Sequence, residues 1–190
     1  GTYTYHTEPL WRKYFMGTLA HNTVRINKQN QATIGGPTLW LDHYKTQVTK
    51  AETNENYDHV IASHTGYKKY GITHTREFFF EKTTNRIKII DWINSKKTDN
   101  YLIEMPFHLH PAVKIDNQNN NAFHLSNKNK RKVTLQVDTR LNNKIFYGQT
   151  EPEITGWFSK SFMLKQPCHT ILGSLETSGN SKFETIISIN

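Results

Sequence analysis

The sequence predicts an all-β protein, an antiparallel β-sandwich, on three observations. Apolar residues recur at every second position in several separate segments. Clusters of Gly, Pro, Asn, Ser and Thr punctuate the chain between those segments. The composition, 12% aromatic and rich in β-branched residues, suits pleated, half-buried strands better than helices. With 190 residues the chain is long enough to bury a core without disulfides. No internal repeat or long linker divides it, so one domain over 1–190 is expected.

The elements follow in order. In Asn22–Asn27, Val24 and Ile26 share one face while Thr23 and Arg25 share the other. Segments 39–49, 57–66, 72–82 and 86–93 read as further strands, the last with a phase break between Ile89 and Ile90 that suggests a bulge. Tyr101, Ile103, Met105, Phe107 and Leu109 line one face. So do Val133, Leu135 and Val137, and near the C-terminus Phe183, Thr185, Ile187 and Ile189. Segments 144–148 and 153–158 complete the set. Turns are expected at Gly35-Gly36-Pro37, Thr83–Asn85, Asn117–Asn121, Asn142-Asn143 and Ser178–Asn180. Only Pro9–Met16 has room for a short helical turn. Many strands at spacings of about 8–12 residues, joined by such turns, make a sandwich or barrel.

Formal charge is +8 and the pI is near 9.5. A basic surface favours polyanions, whether nucleic acid, anionic membrane or acidic polysaccharide, or simply serves solubility. The one cysteine, Cys168, leaves no intrachain disulfide and rules out a cysteine-pair zinc site. No apolar run approaches the roughly 18 residues of a membrane-spanning helix. There is no phosphate-binding loop, dinucleotide fingerprint or serine nucleophile elbow. The chain starts at Gly1, without Met, inside a Thr/Tyr/His-rich segment, and so reads as a piece cut from a longer protein.

Residues able to carry chemistry crowd the opening segment, where Tyr3, Tyr5, His6, Arg12, Tyr14, His21 and Asn22 fall close together. Tyrosine and histidine can exchange protons, arginine can grip a carboxylate in two prongs, and aromatic rings can stack on sugars. By residue type alone, a loop packed over a sheet explains the tyrosines equally well, and a pair with Glu8 explains Arg12. Elsewhere, His108 and His110 share a strand face with Glu104, a spacing that serves either a metal or a half-exposed strand before Pro111. His64 and Tyr67 lie at a strand end, within reach of a substrate or packed into a turn at Gly66. Cys168 beside His169 lacks an orienting third group. The basic run Asn127–Lys132 suits a polyanion or a solvated hairpin tip.

Gly1-Thr-Tyr-Thr-Tyr-His6, Trp11-Arg-Lys-Tyr-Phe15 and Ala20-His-Asn-Thr-Val24 together resemble the signature of the heparinase II/III-like family. His64-Thr-Gly-Tyr67, Gly156-Trp-Phe-Ser159 and Phe183-Glu-Thr-Ile186 are weaker echoes of the same family. The resemblance implies the C-terminal β-sandwich of a polysaccharide lyase, whose N-terminal α/α toroid would be its partner within the parent chain. It implies cleavage of acidic, uronate-containing polysaccharide by β-elimination in a bacterial periplasmic or secreted setting. The isolated chain is then expected to be inactive. By the same resemblance Tyr5 and Tyr14 are candidate catalytic residues, and Arg12, His64 and Tyr67 candidate substrate-binding residues. His21 is a candidate ligand to a zinc ion whose other family ligands, a His and an Asp, would precede Gly1, so this chain alone is not expected to hold zinc tightly. The competing reading is a non-catalytic carbohydrate-binding sandwich using exposed rings such as Trp40 or Trp157. A nucleic-acid module is disfavoured, because aromatic and basic residues do not interleave along one strand face.

Overall fold

The computed structural model describes residues 2–129 and 131–190. In chain order they form helix α1 (Pro9–Met16), a 3-10 turn (Thr18–Ala20), β1 (Arg25–Ile26), β2 (Thr46–Thr53) and β3 (Tyr57–His64). A second 3-10 turn (Lys68–Tyr70) leads to β4 (Ile72–Glu81), β5 (Arg86–Ser95), β6 (Asn100–His108), β7 (Val113–Asn119) and β8 (Ala122–Asn127). The rest comprises β9 (Lys132–Gln136), β10 (Asn142–Tyr147), β11 (Trp157–Ser161), β12 (Leu164–Pro167), β13 (His169–Ser178) and β14 (Ser181–Ile189). The all-β, antiparallel class expected from alternation is the class found, and α1 occupies the one segment that allowed a helix.

The chain makes two compact units: Gly1–His43 with Leu102–Val113 and Asn142–Leu175, and Tyr44–Tyr101 with Lys114–Leu141 and Glu176–Asn190. In the first, a four-stranded sheet runs β1-β6-β13-β10 beside the β11-β12 hairpin. Helix α1 begins with Pro9, whose fixed φ suits a first turn. It ends where the Gly17 N–H donates to the Lys13 and Tyr14 carbonyls. Its buried residues Tyr14 and Phe15 join Tyr3 and Leu19 in a core against Trp11, Ile154 and Trp157. Gly156 is needed nearby, because its φ is +80° and a Cβ there would lie 2.9 Å from the Cys168 carbonyl oxygen.

Strand β1 is shorter than the 22–27 expected. Asn27 and Lys28 turn at φ 50° and 57°, and asparagine side chains take over the pairing. The Asn22 amide oxygen accepts the His108 N–H at 2.7 Å, and that of Asn27 accepts the Leu102 N–H at 2.8 Å. Between these two, Arg25 pairs in register with Glu104. The buried Arg25 guanidinium donates to Glu104 at 2.7 Å and to both Glu153 oxygens at 2.8 and 3.1 Å.

The second unit is an eight-stranded sheet in the order β2-β3-β4-β5-β14-β9-β8-β7. The bulge expected at Ile89/Ile90 is absent: β5 keeps unbroken register with both β4 and β14. Ile89 and Ile90 are each 7% exposed, so the phase break reflects a central strand buried on both faces. The irregularity lies instead on edge strand β2, between Val48 and Lys50. Segment 153–158 is irregular until Trp157, while β7, β8, β12 and β13 were not foreseen. The basic run falls at the β8–β9 turn, with Lys130 outside the described residues.

Removing Arg25 leaves Glu104 buried and unpaired, which costs about 3–5 kcal/mol. Arg25→Ala is therefore expected to lower the urea midpoint strongly, and Arg25→Met with Glu104→Leu to restore much of it. Equal loss in both variants would contradict this account.

Candidate functional site

The opening segment is held by a clasp. The Lys165 ammonium donates to the Tyr3 hydroxyl at 2.6 Å and to Glu8 at 2.8 Å, while the Tyr3 hydroxyl donates to the other Glu8 oxygen at 2.5 Å. The same ammonium lies 4.4 Å from the Tyr3 ring centroid and 4.6 Å from that of Trp11. Lys165 first, and then the Tyr3 hydroxyl, hold the Glu8 carboxyl below its ordinary value. Tyr3 and Glu8 both have positive φ, a conformation that costs energy and that the clasp retains.

Tyr5 and Arg12 are brought together, with the guanidinium 4.9 Å from the ring centroid. Tyr5 is 39% exposed and leans on the exposed Phe162 at 6.0 Å. Arg12 does not pair with the Glu8 side chain. Its Nε and Nη2 donate to the Pro37 carbonyl and its Nη1 to the Thr2 carbonyl at 3.0 Å. Among the described residues, two of its five N–H groups have no hydrogen-bond acceptor.

Tyr14 is buried among aromatic rings, with Trp11 at 6.4 Å and Phe15 at 4.9 Å. Its hydroxyl lies beside the Gly156 and Trp157 backbone but makes no hydrogen bond of good geometry. Burial drives this phenol well above its ordinary value. Tyr14 also borders a cleft of about 900 Å³ between α1, the turn after β1 and the 150–154 loop, lined by Leu10, Lys13, Lys28 and Glu151 among others. Tyr5 and Arg12 are not among its walls.

His21 ends the first 3-10 turn and is exposed. Burial holds its imidazole below its ordinary value, and the nearby Phe15 carbonyl partly offsets this. Among the described residues no three His, Cys, Asp or Glu side chains gather as a metal site, so one imidazole does not fit a closed zinc site here. His108 and Glu104 are taken up elsewhere. His108 Nε2 donates to the Leu19 carbonyl at 2.7 Å, Thr170 meets its Nδ1 at 2.7 Å, and Glu104 holds Arg25. Burial pushes the Cys168 thiol up to about 11, which suits an inert side chain.

In the second unit, His64 and Tyr67 sit at the β3–β4 turn, their rings 6.0 Å apart. Tyr67 has no exposed surface, so it packs beneath His64 rather than offering its hydroxyl outward. His64 belongs to a network with His74, Arg76 and Asp91 that sequence reasoning missed. The signal was present: alternation puts His74 and Arg76 on one face of β4, beside Asp91 on β5.

The profile of the heparinase II/III-like C-terminal family matches residues 1–189. The chain belongs to that family. No curated protein matches this family member in sequence. Among solved structures, the heparan sulfate lyase of Pedobacter heparinus is similar at a TM-score of 0.77 and 16% identity, covering 100% of this chain and 27% of the lyase. A heparinase III is similar at a TM-score of 0.78 and 16% identity, with the same coverages. Another heparinase III is similar at 0.74 and 18%, again over 100% and 27%. Identities this low show a shared fold, and the chain spans about a quarter of the length of these structures.

The half-buried His108 sets an acid limit. Burial lowers it from 6.5 to about 4. Between those values the unfolded chain binds the proton and the folded chain does not, so stability falls as pH drops from about 6.5 to about 4 and then levels off. The loss is on the order of 3 kcal/mol. Urea midpoints measured across this range should fall less steeply for His108→Gln; identical slopes would remove His108 as a cause.

Proposed function

We propose that this chain is the C-terminal domain of a polysaccharide lyase that cleaves acidic, uronate-containing polysaccharide by β-elimination, and that it is inactive alone. The observation that carries this reading is a heparinase II/III-like family match over residues 1–189, joined to the fold of a heparan sulfate lyase. The chemistry needs a cation to neutralise the uronate carboxylate, a base for the adjacent carbon-bound proton, and an acid for the leaving oxygen. Arg12, fixed by three carbonyl bonds with two N–H groups to spare, suits the first task. Tyr5, exposed beside it, is the phenol best situated for proton transfer. Tyr14, sealed and strongly resistant to ionisation, suits a role in shaping the cleft. Within the second unit, His64 is a candidate substrate contact by itself, with the buried Tyr67 beside it. His21 is one ligand of a zinc site completed by side chains from elsewhere in a longer parent, which acts in a bacterial periplasm or outside the cell. The α/α toroid of that parent is the partner that closes the cleft.

A second reading, a carbohydrate-binding module without catalysis, draws on Trp40, which is 37% exposed, with Leu39 and Leu41 exposed beside it. Trp157 does not support it, because its ring packs 4.8 Å from Trp11. The two readings separate in the full-length parent. The lyase reading expects unsaturated uronate products absorbing in the near ultraviolet, a sharp loss of activity in Tyr5→Phe and Arg12→Ala, and loss of zinc in His21→Ala. Glycan binding without product in the parent, abolished by Trp40→Ala, would establish the module instead.

A further inference from the structure

A hydrogen-bonded line of side chains crosses three strands of the second unit. Asp91 on β5 is 1% exposed and His74 on β4 is 2% exposed. Asp91 Oδ1 lies 2.6 Å from His74 Nε2, and His74 Nδ1 lies 2.9 Å from His64 Nε2. At the far end, His64 Nδ1 accepts the Gly66 N–H at 3.2 Å. A carboxylate can only accept and a peptide N–H can only donate, so the protons between them are fixed. Each histidine carries its hydrogen on Nε2, and both rings are neutral.

An added proton has no place in this line. On His64 Nδ1 it turns the acceptor of the Gly66 N–H into a second donor. On His74 Nδ1 it meets the His64 N–H, unless His64 shifts its own hydrogen to Nδ1, which again opposes Gly66. Every route opposes the Gly66 N–H and so removes one of the bonds that hold the loop, beside those from Thr65 to Lys45 and from Lys96 to Gly71. We infer that Asp91, His74 and His64 form an acid-operated latch that holds the Thr65–Gly71 loop closed and releases it when the histidine pair takes up a proton.

The surroundings set the latch toward the closed state. His64 faces the rings of Tyr44 at 5.6 Å and Tyr67 at 6.0 Å. Arg76 grips both Asp91 oxygens at 2.6 and 3.1 Å, so the carboxylate that would welcome a proton on the pair is already balanced by a cation. Burial, then the charges of His74 and Arg76, push His64 down to about 4. The loop contains the fully buried Tyr67 and turns back at Gly71, where φ is +75°. Opening it therefore uncovers an aromatic ring beside His64. This inference stands whether or not the parent is a lyase.

The test uses the isotopically labelled 190-residue chain. Long-range imidazole correlation spectra near pH 7 should give the Nε2–H tautomer for both His64 and His74. Amide exchange, corrected for intrinsic rates, should show protection at Gly66 and the following loop amides falling about tenfold or more on acidification to near pH 4, while β14 amides stay protected. In His64→Gln the loop should be weakly protected at every pH. A hydrogen on Nδ1 in either ring, loop protection that ignores pH, or an unchanged acid response in His64→Gln would each overturn the latch. Should that variant fail to fold, the tautomers and exchange of the unaltered chain decide alone.

Discussion

The candidate site of the first unit depends on where one ammonium sits. Lys165, on β12, binds Tyr3 and Glu8 and covers the rings of Tyr3 and Trp11. Without it, the Glu8 side chain would lose its cationic partner, and the two positive-φ residues would lose the side-chain tie between them and the hairpin. With it, the segment before α1 has a fixed path, and that path delivers the Thr2 carbonyl to Arg12. The Met163 N–H, donating to the Tyr3 carbonyl at 2.7 Å, ties the same hairpin to the segment by its backbone. A side-chain clasp and a backbone bond thus act on one point, so the positions of Tyr5 and Arg12 follow from the hairpin rather than from helix α1 alone.

Burial then sorts the tyrosines into different chemistries. Tyr3, Tyr14 and Tyr67 are each under 9% exposed, whereas Tyr5 is 39% exposed. A buried phenol loses the solvation of its anion, and burial raises Tyr14 well above its ordinary value in this way. Proton transfer near neutral pH favours a group whose two protonation states lie close in energy. The same residue type thus serves as packing at Tyr14 and Tyr67, as part of a polar clasp at Tyr3, and as an exposed candidate at Tyr5. The difference arises from neighbours distant in sequence, such as Trp157 and Lys165.

That is also where sequence legibility ended. Strands with one wet face were readable, because alternation survives in Tyr101–Leu109, Lys132–Asp138 and Phe183–Ile189. Strand β5 misled because burial on both faces erases alternation and mimics a bulge. Strand β13 was invisible because Gly173 and Ser174 interrupt its apolar pattern. Strands β7 and β8 hid behind an asparagine-rich stretch whose turn, at Asn120 and Asn121, is in fact tight and left-handed. In the site, the tyrosine, arginine and histidine types were legible, but their exposure was not. The Asp91–His74–His64 line went unread because each member looks ordinary within its own strand, and the line appears only when β3, β4 and β5 are laid in register.

Arg12 and His21 show two ways for a side chain to be ready for a ligand. The Arg12 guanidinium is planar and rigid, and three carbonyl bonds fix its plane before any substrate arrives. In the proposed role, little conformational freedom would remain to be lost on binding a carboxylate, because the plane of the guanidinium is already set within the chain. His21 lies near the Phe15 carbonyl, but one nitrogen supplies only one of the roughly four ligands a zinc ion needs. The proposed carboxylate grip would draw on geometry within this fold, whereas the proposed zinc site would need ligands beyond His21.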